Sequence, residues 1–516
     1  MFVTLIRSPE LVTDRSNALT TPPVGIAYLG GFLRKHGIDV QLIDALGEGL
    51  NLYNSLLEFP DRAGFYLHGL SLDQVVDKID SKAKIIGVSC MFSQDWPLNR
   101  ELIRKIRKKF PNSIIIAGGE HISAVPAFVM NNCPELDYCL CGEGEIALLS
   151  LVEKLSLNCT VSLEEIPSLV YRLDNSIKHS NAIPKRIQDI DSIPWPAWDL
   201  VPIENYLETG SGYGINKGRN MPIVATRGCP YACTFCSNPQ MWTTKWVARN
   251  PKCVVDEIES YVKKYSANNF DFYDLTAIVR KDWIIKFCAE LEQRNLKITY
   301  QLPSGTRSEA IDAEVCAALK RTGCCHITYA PESGSNNTLK KVNKRLKLTN
   351  LFASMRSAVD QKLFIKMNIV LGFPHETHLD ILKTMVFLAR CAWIGVHDVF
   401  IFTFSPYPGS QLFKELREKG NIPQLSDDYF FSLSTYIDLN RAISYAEKIP
   451  SWQLSYYRIF GLCFFYGLSF LFHPFRALHI LRNLSSPISE TRIEAFLKTR
   501  LTKINFIDNA IIRNKA

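Results

Sequence analysis

What most constrains this chain is a hydrophobic period that switches back and forth. Short apolar runs of strand length alternate with stretches whose apolar residues return at helix spacing. Within residues 1–155, Phe2–Ile6, Asp39–Ile43, Lys84–Ser89, Ser113–Ala117 and Asp137–Leu140 predict strands. Val24–Lys35, Leu72–Ile79, Pro97–Lys109 and Val125–Asn131 predict helices between them, and a further helix begins at Gly144. Such alternation builds an α/β fold, a parallel sheet covered on both faces. Gly118–Gly119 and Gly142–Glu143–Gly144 follow the fourth and fifth strands, on the edge where open α/β sheets bind ligands.

The alternation lapses over residues 156–215, predicting a connector. Its segment Asp191-Ser-Ile-Pro-Trp-Pro-Ala-Trp198 suits an extended, anchored strap with two tryptophans plugging a domain seam. Alternation then resumes with strands predicted at Ile223–Thr226, Phe270–Asp274, Ile298–Leu302, His326–Ala330, Phe364–Leu371 and Asp398–Phe404. Helical patterns follow the first five, as with Val254, Val255, Ile258 and Val262. Six β–α units without a second sheet predict a partial (β/α)6 barrel over residues 216–424, its active face at the strand C-termini by analogy with full barrels. Residues 425–516 read as helical.

Composition narrows the class. Of 516 residues, 47 % are apolar and 21 % charged, which excludes disorder and a small disulfide scaffold. The balance of 59 basic against 51 acidic residues is too mild to signal nucleic acid as a partner. An odd count of 15 cysteines points to reduced thiols or a metal centre. Phe2–Ile6, followed at once by Arg7, reads as a first buried strand rather than a secretory signal. No apolar run approaches about 20 residues, so no simple membrane span is predicted. The nearest approach is Ile459–Phe472.

The strongest chemical signal is Gly228-Cys229-Pro-Tyr-Ala-Cys233-Thr-Phe-Cys236, directly after the first barrel strand. Three thiolates on one loop suit zinc or an iron–sulfur cluster. Zinc would need a fourth ligand, and no His or Cys lies between Ser237 and Lys252. Cys253 opens the next helical pattern and reads as a packed thiol. Three ligands leave a four-iron cluster with one iron open.

CxxxCxxC with an aromatic at Phe235, at the start of a (β/α)6 series, resembles the radical S-adenosylmethionine (SAM) superfamily. The resemblance implies a [4Fe-4S] cluster on Cys229, Cys233 and Cys236 whose open iron chelates SAM and cleaves it reductively. It further implies that Asp274, at the end of the second strand, meets the SAM ammonium. Glu332-Ser333-Gly334, after the fourth, would meet its methionyl or ribose portion. Gly372, in Ile369-Val-Leu-Gly-Phe-Pro-His-Glu376, would support adenine with Phe235. Arg307 and Lys344 are further polar candidates.

Thr21-Pro-Pro-Val-Gly25, Gly118-Gly119-Glu-His121 and Gly142-Glu143-Gly144-Glu145, in that order before the cysteine loop, resemble the cobalamin-binding domain of one radical SAM subfamily. Glycine there lets backbone approach a bulky ligand. The DxHxxG motif that supplies a cobalt-ligating His is missing. His36 sits at a helix C-terminus before Gly37 and reads as a cap, and His121 reads as a loop residue. The loop Ser89-Cys-Met-Phe-Ser-Gln94 would then face the lower side of cobalt.

Residues 475–516 hold eight Lys/Arg against three Asp/Glu. Ile459–Phe472 followed by His473–Arg482 fits a helix lying in a lipid interface, or a C-terminal helix packed on the barrel. The former would favour a lipid or isoprenoid substrate and a position on the inner face of the membrane. The resemblance implies cytoplasmic chemistry, a ferredoxin or flavodoxin donor, and radical modification of a small-molecule carbon. C-methylation heads the readings, with radical cyclisation or coupling as the alternative. A tRNA methylthiotransferase usually carries three further N-terminal cysteines, where this chain has glycine loops. A zinc-stabilised binding protein would leave the SAM-like segments unexplained.

Overall fold

The computed structural model describes residues 1–13, 20–156, 162–174, 176–181, 186–422, 424–436, 442–484, 490–491, 493–494 and 497–498. Two parallel sheets organise it. In the first, Phe2–Arg7 lies between Asp39–Asp44 and Ile85–Ser89, and Ile114–Gly118 and Tyr138–Leu140 follow outward, all five parallel. The strand order is thus 2-1-3-4-5, which places a topological switch point between Phe2–Arg7 and Ile85–Ser89. An antiparallel hairpin, Leu169–Leu173 and Ser176–His179, extends the sheet beyond Tyr138–Leu140. That hairpin falls in the stretch read from the sequence as connector. Its strands are short and mostly polar on one side, so they carry little periodic signal.

The second sheet has six strands in chain order: Asn220–Ile223, Asn269–Phe272, Thr299–Thr306, Cys324–Glu332, Phe364–Leu371 and Asp398–Thr403. All pair in parallel, and the first and last do not close on each other. This is the partial barrel. Its first strand ends before Thr226, because Thr226–Arg227 instead pairs antiparallel with Val247–Ala248.

Local chemistry explains the helices. Asn250 caps Pro251–Tyr265, its side chain accepting from Lys252 N at 3.0 Å. Thr377 and Asp380 form a capping box at the start of His378–Ile394. One apolar core runs from Val3, Leu5 and Leu151 through Trp198 to Val254, Ile258 and Phe270, so the two sheets share a core. Trp198 is the plug: it is buried and donates to Tyr261 Oη at 2.9 Å. Trp195 is not, and stands exposed beside Gly31.

The C-terminal region contributes the helix Ser451–Phe472, packed on His378–Ile394 and on the sixth strand, then Pro474–Asn483. By length and composition alone the 22-residue helix Ser451–Phe472 could cross a membrane. Leu454, Arg458, Gly461, Phe465 and Ser469 are nevertheless buried along one face of it. The basic residues of 499–516 lie outside the described residues.

Candidate active site

The cysteine loop springs from the small ribbon of Thr226–Arg227 and Val247–Ala248. Gly228 has φ +85° and a Cβ there would collide with the Lys245 carbonyl, so only glycine makes this turn. Backbone bonds fix the loop to the barrel: Thr234 N donates to Val342 O at 3.1 Å, and Leu412 N donates to Thr234 O at 2.8 Å. Cys229, Cys233 and Cys236 are half-buried on it. Burial pushes the Cys236 thiol up to about 12, and the charges of Glu120, Cys233 and Cys229 add to the effect. Burial also raises Cys233. Binding iron therefore requires these thiols to lose protons that the apo chain retains.

Buried polar atoms without partners ring this loop: Thr234 Oγ1, both side-chain atoms of Asn238, Asp274 Oδ1 and one Arg307 nitrogen. Native proteins rarely leave such groups unpaired. Their convergence beside three cysteines fits a polar ligand seated on a metal cluster. Asp274 follows the second strand, with Oδ2 accepting from Ala225 N at 3.2 Å. Its burial raises its carboxyl to about 6. Glu332 ends the fourth strand at φ +66°, a conformation that costs a non-glycine residue about 1–3 kcal/mol and clusters at functional sites. Its carboxylate pairs with Lys344 Nζ at 2.9 Å. Arg307 lies over the Tyr231 ring at 3.7 Å.

Phe235 packs 5.4 Å from Phe373, on the side of Gly372. Gly372 has φ +89°, and its N–H donates to Glu376 Oε2 at 2.7 Å. Ser333 follows the fourth strand. Its hydroxyl bonds Thr384 Oγ1 at 3.1 Å and accepts from Ser335 N at 3.1 Å, so it holds the turn.

On the first sheet, Ser89 and Gly118 end the third and fourth strands, flanking the edge by the switch point. Gly119 has φ +114°, and a Cβ there would sit 2.5 Å from Cys90 O. Gly142 lies near the Met241 carbonyl, Gly144 starts the helix Gly144–Ser156, and Gly25 has open space around its Cα. Thr21 is anchored through its carbonyl to Arg7, which also donates to Tyr206 Oη at 3.2 Å. His121 is a correction: it sits in the short helix Glu120–Ala124, fully buried, with Nδ1 2.9 Å from Ser93 Oγ. Burial lowers it to about 3, so it is neutral. His36 caps Val24–Lys35 as expected.

Glu143 is held by three partners. Its Oε2 accepts from Arg186 Nε at 2.8 Å and Ile187 N at 2.9 Å, and its Oε1 from Arg227 at 3.2 Å. The same Arg227 donates to Glu145 Oε1 at 2.6 Å. These carboxylates tie the first sheet's edge to the residue before the cysteine loop.

Two more contacts missed in the sequence join the edges. Ser237, next to Cys236, donates to Glu120, and Tyr407 Oη donates to Gln94 Oε1 at 2.9 Å. Glu120 stands inside the Gly118–His121 motif, the one available signal. Nothing in the sequence marked Tyr407. The glycine-rich edge of the first sheet and the cysteine loop of the barrel therefore lie side by side. Tyr213 meets the Tyr273 ring edge-on at 4.6 Å.

Family models match the same two regions: a B12 binding domain over residues 12–152 and the radical SAM superfamily over residues 223–388. The chain belongs to the cobalamin-binding radical SAM enzymes. Its cofactors are a [4Fe-4S] cluster, SAM and cobalamin. It is 27 % identical to an uncharacterized methyltransferase of Pyrococcus horikoshii, covering 80 % of this chain and 83 % of that one. It is 26 % identical to the anaerobic magnesium-protoporphyrin IX monomethyl ester cyclase of Cereibacter sphaeroides, covering 88 % and 69 %. Its fold matches that of the cobalamin-dependent SAM radical enzyme OxsB with aqua-cobalamin and SAM bound. That match has a TM-score of 0.68 at 16 % identity, over 98 % of this chain and 75 % of the other.

Proposed function

We propose that this radical SAM enzyme methylates an unactivated carbon of a lipid-like or other secondary-metabolite small molecule. The observation that carries the reading is the junction of the two edges: the Glu120–Ser237 and Gln94–Tyr407 hydrogen bonds hold the glycine-rich edge of the first sheet against the cysteine loop and the barrel. When bound, the cluster supplies the electron that cleaves the SAM sulfonium and cobalamin carries the methyl group to be delivered.

On this reading residues 1–155 hold cobalamin and residues 216–424 hold the cluster and SAM. Cys229, Cys233 and Cys236 would hold the cluster. Asp274 Oδ1 accepts from the SAM ammonium, Glu332 lies along its methionyl portion, and Phe235 and Gly372 border adenine. Thr21, Gly25, Ser89, Gly118, Gly119, Gly142 and Gly144 shape the cobalamin edge. A low-potential ferredoxin or flavodoxin supplies electrons in a reducing compartment.

A radical ring closure is the second reading, supported by the 26 % identity to the cyclase. Anaerobic protein reconstituted with iron, sulfide and cobalamin, then given SAM and a strong reductant, separates the two. S-adenosylhomocysteine together with 5′-deoxyadenosine supports methylation. Deoxyadenosine alone with cobalamin bound supports cyclisation or coupling, and neither product refutes both.

A further inference from the structure

The helix Ser451–Phe472 packs on the barrel through one face and leaves the other to solvent. Trp452 is 70 % exposed, Leu471 71 %, and Phe475 on the following helix 82 %. The barrel helix His378–Ile394 continues the same surface. Leu379, Leu382, Val386 and Trp393 are all exposed and recur on one side of it. The two helices meet where Trp393 packs 4.9 Å from Phe472. Between them and Leu348–Asp360 runs an apolar groove of about 720 Å³. Monomeric proteins rarely leave so continuous an apolar face uncovered.

The exposed charges of the two long helices on this face are basic. No Asp or Glu occurs from Ser451 to Asn483. On His378–Ile394 the single carboxylate, Asp380, is buried against Ser335 and Thr377. Lys383, Arg390 and Arg482 are exposed, with Arg390 4.2 Å over the Phe352 ring. A twofold contact with a second copy would bring these cations together, the nearby carboxylates Asp360 and Glu490 already being engaged by Arg356 and His479. Nor does Ser451–Phe472 cross a bilayer, since fully buried Arg458 faces the barrel.

We propose that this face docks the protein on an anionic lipid surface, Trp393, Trp452, Leu471 and Phe475 entering the interface and Lys383, Arg390 and Arg482 meeting the headgroups. Trp and Tyr prefer that depth, and a basic rim adds electrostatic attraction. The docking stands independently of which reaction the enzyme performs.

The test is anaerobic flotation of the full-length, cluster-loaded enzyme with phosphatidylcholine vesicles containing or lacking phosphatidylglycerol. The wild type should float at least about tenfold more with phosphatidylglycerol present, and the preference should fall at high salt. The triple variant Trp452→Glu/Leu471→Glu/Phe475→Glu should lose at least about tenfold of that binding, while still forming 5′-deoxyadenosine at the wild-type rate. Lys383→Gln/Arg390→Gln should float on both vesicle types to the same low extent. Wild type that stays in solution with either vesicle, or a triple variant that floats as well as wild type, would overturn the proposal. So would a wild-type dimer that the triple variant abolishes in sedimentation, which would give the face to a second copy.

Discussion

Arg227→Gln tests how the two sheets are held at the cluster loop. Arg227 is buried, as are its partners Glu143 and Glu145, with side chains 7 %, 5 % and 5 % exposed, so solvent screens little of the interaction. Removing one partner of a buried ion pair costs about 3–5 kcal/mol, because the other charge is left unpaired. Glu143 retains Arg186 and the Ile187 N–H, so the penalty falls mainly on Glu145 and the lower end, about 3 kcal/mol, is expected. With a urea dependence of about 3 kcal/mol/M for a large chain, the unfolding midpoint of the apo protein should drop by about 1 M. Trp242 reports the transition, since Arg186 and Arg227 lie over its ring at 5.2 and 5.7 Å. Glu145→Gln in the Arg227→Gln background should then cost far less than alone, since no cation remains to lose. A midpoint shift under about 0.3 M, or a double-mutant cycle additive within about 0.5 kcal/mol, would refute the clamp.

Cys233→Ala should abolish 5′-deoxyadenosine formation, measured by chromatography after anaerobic reduction; retained cleavage would remove the cluster assignment. Asp274, raised to about 6 by burial, ionises as pH rises through that value, so SAM affinity measured by calorimetry should strengthen from pH 5 to 7.5. In Asp274→Asn the profile should be flat. Glu376 is raised from 4.5 to about 7 by burial, with its Gly372 bond opposing. The folded state therefore binds the extra proton between those values, and stability falls as pH rises through this window, by about 3 kcal/mol in total. Glu376→Gln should remove that slope in urea titrations at pH 4.5 and 7.5.

Much of this was legible in one dimension. A strand announces itself by a short β-branched run, as in Ile114–Gly118, and a helix by residues returning every three or four positions, as in Pro251–Tyr265. Both periods are set by local backbone geometry. The spacing of Cys229, Cys233 and Cys236 likewise placed three thiols on one loop before any fold was known. Tertiary structure alone decided what each polar group near that loop does. Glu143 and Ser333 sit in motifs that look ligand-facing, yet Glu143 is held by Arg186 and Arg227 and Ser333 by Thr384. These partners are distant in sequence, so no local pattern could name them. The same holds for Trp195 and Trp198, three residues apart in one strap, of which only Trp198 is buried. It holds also for Ser451–Phe472, whose apolar composition is nearly uniform around the helix. Which face met the barrel, and which was left for another surface, was chosen by the shape of the barrel it packs on.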